Sequence, residues 1–282
     1  MRPEDQRELL PAIVALARHA GAAILDVKRK AVADVETKSD GSPVTLADRA
    51  AHDLIVAGLR GLEPRFEVLS EEGDLEATAE RIRAAPDTPF WLVDPLDGTK
   101  EFVRELGEYT VNIALVENGT PVLGVVHPPE QDRVYYAARG FGAHRQDGRA
   151  DPLTLAANAR QRITRVVASR SHLNDATRAL IDRLSTGTGG AELVQRGSSV
   201  KLCAVAEGSA DVYPRLAPTF IWDTAAGCIV AREAGCAVVD PSGTPLDYTP
   251  AGDLRQSHFM VYTQRRADIV AALQAEIDHG RG

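Results

Sequence analysis

The chain is short of cysteine, of excess positive charge and of long apolar runs. Its three cysteines, Cys203, Cys228 and Cys236, sit among apolar neighbours. Their number is odd and their spacing is not that of zinc ligands, so neither a disulfide framework nor a zinc site is indicated. Buried free thiols are expected, which suits a reducing cytoplasm. The N-terminus, Met1-Arg2-Pro3-Glu4-Asp5, is charged and lacks the apolar centre of a signal peptide. No consecutive run approaches the roughly 18 apolar residues of a membrane-spanning helix. No transmembrane segment is therefore expected. Peripheral contact with the inner face of the membrane and the oligomeric state both stay open. The formal net charge is −8. That speaks against a nucleic-acid partner, which needs a basic footprint. It does not exclude a phosphorylated small molecule, because metal ions and a few cations can supply local positive charge.

What is present is an ordinary apolar fraction, 44% of 282 residues. It suffices for a sizeable core in one large domain or two moderate ones. Apolar residues recur at helical spacing over 4–27 and 45–60, with Thr45 as a candidate N-cap and Gly61 as a stop. The polar loop 36–43 lies between these helices. Strand patterns cover 66–69, 90–93, 109–116, 121–127 and 133–138, the last three as an antiparallel meander. Gly140 to Ala143 leads into one more short strand. The connection 74–87 is polar, with a helical pattern at 79–83. Composition shifts near Asp151-Pro152, the expected boundary between domains 1–152 and 153–282. Beyond it, strands at 165–168, 192–195, 210–213 and 236–239 alternate with helices at 175–184, 200–207 and 223–234. That order predicts α/β layers after an α+β half. A closing helix is expected over 266–278.

One stretch organises the rest: Trp91-Leu92-Val93-Asp94-Pro95-Leu96-Asp97-Gly98-Thr99. A buried strand should end at Asp94, since Pro95 cannot continue a ladder and stiffens the chain. Gly98 permits a tight turn, and the Gly98-Thr99 amides should open a helix. Two carboxylates then project from one rigid corner. Carboxylates collect hard cations, and free amides at a helix start collect phosphate oxygens. A plain turn, with Asp94 as a cap, is the competing reading. A haloacid-dehalogenase phosphatase fits less well: its nucleophile and acid are one residue apart, and here two residues intervene. A donor set rich in carboxylates, without histidine or cysteine, favours Mg2+ over Zn2+.

The stretch resembles the signature of the inositol monophosphatase superfamily, Asp-Pro-(Ile/Leu)-Asp-Gly-Thr. Leu69-Ser70-Glu71-Glu72 upstream and Gly197-Ser198-Ser199 and Trp222-Asp223 downstream match in order. Gly-Thr-Lys-Glu-Phe is most similar to the bacterial 3'(2'),5'-bisphosphate nucleotidase branch, the CysQ type. The resemblance implies a layered αβαβα sandwich and two Mg2+ ions, with a weaker third as an option. It makes Glu71, Asp94 and the Leu96 carbonyl ligands of one metal, and Asp94, Asp97 and Asp223 ligands of the other. Asp48, in Ser-Pro-Val-Thr-x-Ala-Asp, and Thr99 would orient or deprotonate the attacking water, with Glu72 a nearby acid. The Gly98 and Thr99 amides would cradle the phosphate. Without the resemblance, Asp48 and Asp223 read as helix-start aspartates and Glu71-Glu72 as solvated loop charge.

The branch also implies the substrate. Ser198 and Lys201 belong to a nucleotidase-like Gly-Ser-Ser-Val-Lys pattern, and a cation at 201 suits a second phosphate. Arg215 could add to the same pocket, and His172 lies in a substrate-loop-like Ser-Arg-Ser-His. Solvent exposure or ion pairing are the alternatives for these residues. Ile221 departs from the pattern, since bacterial relatives often carry an acid before Trp-Asp. The expected activity is hydrolysis of adenosine 3',5'-bisphosphate (PAP) to AMP and phosphate, with 3'-phosphoadenylyl sulfate (PAPS) as a further substrate. It would serve sulfur metabolism and PAP recycling and be sensitive to lithium. An inositol or fructose-bisphosphate phosphatase, or a non-catalytic bisphosphate-nucleotide sensor, are the alternatives.

Overall fold

The structure is a computed structural model. It describes residues 1–33, 43–157, 163–171, 173–186, 190–256 and 258–263. Two helices open the chain, α1 (Pro3–Ala33) and α2 (Pro43–Arg60). The second begins at Pro43, two residues before the expected Thr45 cap. Proline suits the first turn, where its missing N–H would have had no partner. The expected loop over 36–43 lies almost wholly outside the described residues, as does the helix over 266–278.

The first sheet holds β1 (Glu67–Ser70), β2 (Phe90–Asp97), β3 (Thr110–Glu117), β4 (Thr120–His127), β5 (Arg133–Ala138), β6 (Gly142–Asp147) and β7 (Leu153–Thr154), paired in that order. β1 runs parallel to β2; the expected meander is β3 to β5, and β2 on one side and β6 and β7 on the other extend it with further antiparallel pairs. Between these strands lie α3 (Leu75–Ala84) and α4 (Thr99–Val103). The second sheet comes from β8 (Arg165–Ser169), β9 (Glu192–Arg196), β10 (Val212–Arg215), β12 (Cys236–Val239) and β14 (Phe259–Thr263). β11 (Thr219–Phe220) pairs with β13 (Arg255–Gln256) apart from it. The helices of this half are α5 (Asp175–Thr186), α6 (Val200–Ala206) and α7 (Ile221–Glu233).

Strand alternation builds the layers. On β2 and β3, Trp91, Val93, Ile113 and Leu115 face α1 and α2, while Phe90, Leu92, Ala114 and Val116 face the opposite way, toward α7. On β8, Val167 joins that same central core, whereas Val166 and Ala168 pack with Leu180 and Ile181 of α5. The order is therefore helices, sheet, helices α6 and α7, sheet, helix α5: the expected αβαβα sandwich. The middle layer is sealed on both sides, and ten residues of α7 are buried.

Counting consecutive apolar residues gave no membrane-length candidate, yet α1 is long and apolar enough by composition to cross a membrane. Its small and aliphatic side chains dilute scattered charges. Here the helix packs on α2 and the sheet, with Ile13, Ala17, Ala20 and Ile24 fully buried.

Candidate active site

The site grows from an irregularity in β2. Alternation carries Phe90 and Leu92 onward to Asp94, which therefore points into the α7 layer. The strand does not stop at Asp94, as its proline suggested, but runs through to Asp97. Pro95 is accommodated because the pairing with β3 shifts register between Asp94 and Asp97. Such a bulge re-aims the next side chain. Asp97, which strict alternation would place on the opposite face, meets Asp94 instead. Asp94 Oδ1 accepts the Leu96 amide at 3.0 Å, which stiffens the bulge. Gly98 then takes a left-handed conformation, φ +96°, and α4 starts at Thr99.

Three other elements converge on this corner. β1 lies parallel to β2, so Glu71 follows its end beside Val93, whose carbonyl accepts the Glu71 amide at 3.1 Å. α7 begins here and presents Asp223 in its first turn. Asp223 Oδ2 accepts the Phe220 amide at 3.1 Å and the Thr219 hydroxyl at 2.5 Å. Asp223 thus caps its helix and faces the cleft at once. The loop before α6 closes the remaining side: the Ser199 amide donates to Asp97 Oδ2 at 2.6 Å. Ser198 has φ +40°, and its carbonyl accepts from Lys201 Nζ.

These elements line a cleft of about 290 Å³. Glu71, Asp94, Leu96, Asp97, Gly98, Thr99, Ser198, Lys201, Arg215 and Asp223 all border it. Asp48 and Glu72 adjoin the carboxylates from the Glu71 side. His172 lies outside the described residues. Lys201 and Arg215 are buried, at 4% and 8% exposure, so neither is the solvated charge that their residue types allowed. Arg215 also donates to the carbonyls of Ala217 (3.2 Å) and Pro218 (3.1 Å).

Some neighbours were missed in the sequence. Asn112 stands opposite Asp94 on β3, and its carbonyl oxygen accepts the Ser199 hydroxyl at 2.7 Å. A lone amide inside an otherwise apolar strand was the available signal. Thr219 and Phe220 carried none beyond their nearness to Asp223.

The electrostatics are lopsided. Burial pushes Asp94 well above the usual carboxylate range, with Glu71, Asp97 and Asp223 adding to it. Burial and Asp223 raise Glu71 to about 7. Asp97 also reaches about 7, through burial and Asp223, although Lys201 and the Ser199 amide oppose the shift. Asp48 rises to about 8 from burial and the nearby Glu72 and Glu71. Lys201 falls to about 8 because it is buried, with Asp97 holding it up. The acids outnumber the cations that could neutralise them.

A divalent cation fits this arrangement. Among the described residues, single oxygens of Asp94, Asp97 and Asp223 lie within 4.8 Å of one another. Asp48 Oδ1 is buried without a hydrogen-bond partner. All these donors are oxygens, the set that hard cations take.

The model of the inositol monophosphatase family matches residues 5–277. The chain belongs to that family. Its phosphatases are metal-dependent, in keeping with the acidic cluster. The chain is 44% identical to the 3'(2'),5'-bisphosphate nucleotidase CysQ of Escherichia coli strain K12, over 90% of this chain and 99% of the relative. Among solved structures it resembles CysQ from Bacteroides thetaiotaomicron, a bacterial member of the family, with 42% identity and a TM-score of 0.79. The match covers 92% of this chain and 98% of that one. An IMPase from Thermotoga maritima superposes with a TM-score of 0.76 at 25% identity, covering 96% and 99%.

Proposed function

We propose that this family member is a Mg2+-dependent 3'(2'),5'-bisphosphate nucleotidase that converts PAP to AMP and phosphate and accepts PAPS as a second substrate. The nucleotidase relatives support the reaction. The observation that carries it in this chain is the pairing of opposites in one cleft: a carboxylate cluster, and two buried cations, Lys201 and Arg215, that line the same cleft close to Asp97 and Asp223. A substrate with two phosphates can use both: one for the metal that the carboxylates would hold, one for the cations.

In this reading Glu71, Asp94, the Leu96 carbonyl, Asp97 and Asp223 hold two Mg2+ ions, with a weaker third near Asp48. When bound, the metal supplies charge neutralisation at the phosphoryl oxygens. Asp48 and Thr99, with Glu72 nearby, orient the attacking water and take its proton. The Gly98 and Thr99 amides hold the phosphate being cleaved. Ser198, Lys201, Arg215 and His172 hold the rest of the nucleotide. Two lobes act together: residues 1–152 with the edge strand β7 that follows them, past the boundary expected at 152, and the rest of the chain, which completes the site through Asp223. The cytoplasm, with its nucleotides and free Mg2+, is the expected location.

The test is phosphate release from PAP, PAPS, inositol 1-phosphate and fructose 1,6-bisphosphate, each with and without Mg2+. PAP should lead, activity should require the metal, and Asp94→Asn should nearly abolish it in a folded protein. Preference for inositol 1-phosphate or the fructose ester would overturn the substrate assignment. Near-normal turnover by Asp94→Asn at saturating Mg2+ would overturn the metal assignment.

A further inference from the structure

Phe220 is unlike the other cleft-lining residues. It is a large apolar side chain left 41% exposed at the rim. A single exposed phenylalanine is ordinary on a protein surface. This one is held in place. Its ring stacks on the buried Trp222 indole, with centroids 4.6 Å apart and planes 7° from parallel. Its amide is bound to Asp223, and the next amide, Ile221, donates to the Leu254 carbonyl at 2.9 Å. Pairing of Phe220 with Arg255 fixes the backbone further. One face of the ring is thus occupied by Trp222, and the residue still keeps much of its surface open beside the cleft. Its backbone lies against the same carboxylate group that would hold the metal.

We propose that Phe220 is a specificity residue: a pre-set stacking platform for the planar base of the substrate. The inference rests on the bisphosphate-nucleotide reading above. A π-face accepts any base, and a ring already held in position loses little entropy on binding. Sugar and inositol phosphates have no π-face to offer it.

The experiment compares adenosine 3',5'-bisphosphate with ribose 3,5-bisphosphate, which keeps both phosphates and lacks the base. Wild type, Phe220→Ala and Phe220→Trp are assayed for kcat/KM. Binding of the same two compounds is measured by calorimetry with Ca2+ in place of Mg2+. Phe220→Ala should lose roughly tenfold on the nucleotide, mostly in KM, and change little on the base-free compound. Phe220→Trp should retain or improve nucleotide binding. Equal losses on both compounds would overturn the platform and point to displacement of Asp223. No loss on either would overturn it as well. If Phe220→Ala weakens calorimetric binding of the nucleotide and not of the base-free compound, while wild type releases no phosphate, the platform stands and the nucleotidase reading fails.

Discussion

Lys201 sits at 4% exposure, with its ammonium on the Ser198 carbonyl and 5.5 Å from the Tyr213 ring. Burying a cation is costly unless something compensates it. Asp97 does so in part, which leaves two uses for the side chain: contact with an uncleaved phosphate, or support of Asp97. Substrate choice separates them. A hydrogen bond to a charged group contributes about 1.5–3 kcal/mol. If the contact is to the second phosphate, Lys201→Ala should lose roughly ten- to a hundredfold in kcat/KM on PAP. Inositol 1-phosphate, with one phosphate, should be hydrolysed as weakly as before. Assays at fixed ionic strength on both substrates give the answer. Equal losses would mean that Lys201 acts through Asp97 and the metal site, and no loss on either would leave it without a role in the cleft.

At the scale of elements, α7 carries the argument. It brings Asp223 to the corner formed by β2, and it can do so only by lying close against β4. Gly124 makes that approach possible: a Cβ there would stand 2.4 Å from Ile229 Cγ2 and 2.7 Å from the Ala226 carbonyl oxygen. The helix backbone cannot yield as a flexible side chain would. Overpacking of this kind typically costs about 1–3 kcal/mol. Gly124→Ala should therefore lower the melting temperature by several degrees and raise the Mg2+ concentration that gives half-maximal activity. A melt together with a metal titration of activity checks both. A lower melting temperature with an unchanged metal requirement would show that the strain relaxes without moving Asp223. The approach of α7 was not legible in the sequence. The strands and helices themselves were, because Ile113 to Val116 and Val166 to Ala168 are short apolar runs of strand length and the helices carry apolar residues at helical spacing. The motif residues also announced their grouping through order and spacing. The two-sided burial of α7 had one local sign, an apolar run all round the helix from Ala225 to Ala231. β14 was missed although its sign was there: Phe259 to Thr263 is a run of apolar and β-branched residues between polar flanks, His258 and Gln264. The bulge at Pro95 could not be foreseen, since a proline after an expected strand reads equally well as its end. The partner of Asp97 across the cleft, the Ser199 amide, depends on a contact 102 residues away in the chain.

For the whole molecule, the concentrated carboxylates tie stability to pH and metal. Asp48 near 8 and Glu71 and Asp97 near 7 stand above the ordinary carboxylate value of about 4. Between those limits the folded metal-free chain keeps protons that the unfolded chain has released. The stabilisation is complete below the unfolded pKa and is lost as pH rises through the folded one. Two histidines work the other way: burial lowers His127 to about 4, and partial burial also lowers His52. Unfolding lets each take up a proton below about pH 6.5, so their contribution is lost as pH falls. Above about pH 7 both are neutral in either state, and the carboxylates act alone. With the metal removed by EDTA, the melting temperature should fall from about pH 7 to about pH 8.5. A cation competes with those protons for the same oxygens. Saturating Mg2+ should raise the melting temperature more at the higher pH, and the slope should flatten. Asp48→Asn removes the carboxyl that, of Asp48, Glu71 and Asp97, holds its proton to the highest pH, and should make the metal-free slope shallower. Calorimetric melts of both proteins, with EDTA and with Mg2+, provide the measurement. A metal-free melting temperature that stays level over this range would mean that the carboxylates are already ionised at neutral pH, with the cluster screened by solvent rather than waiting for a cation.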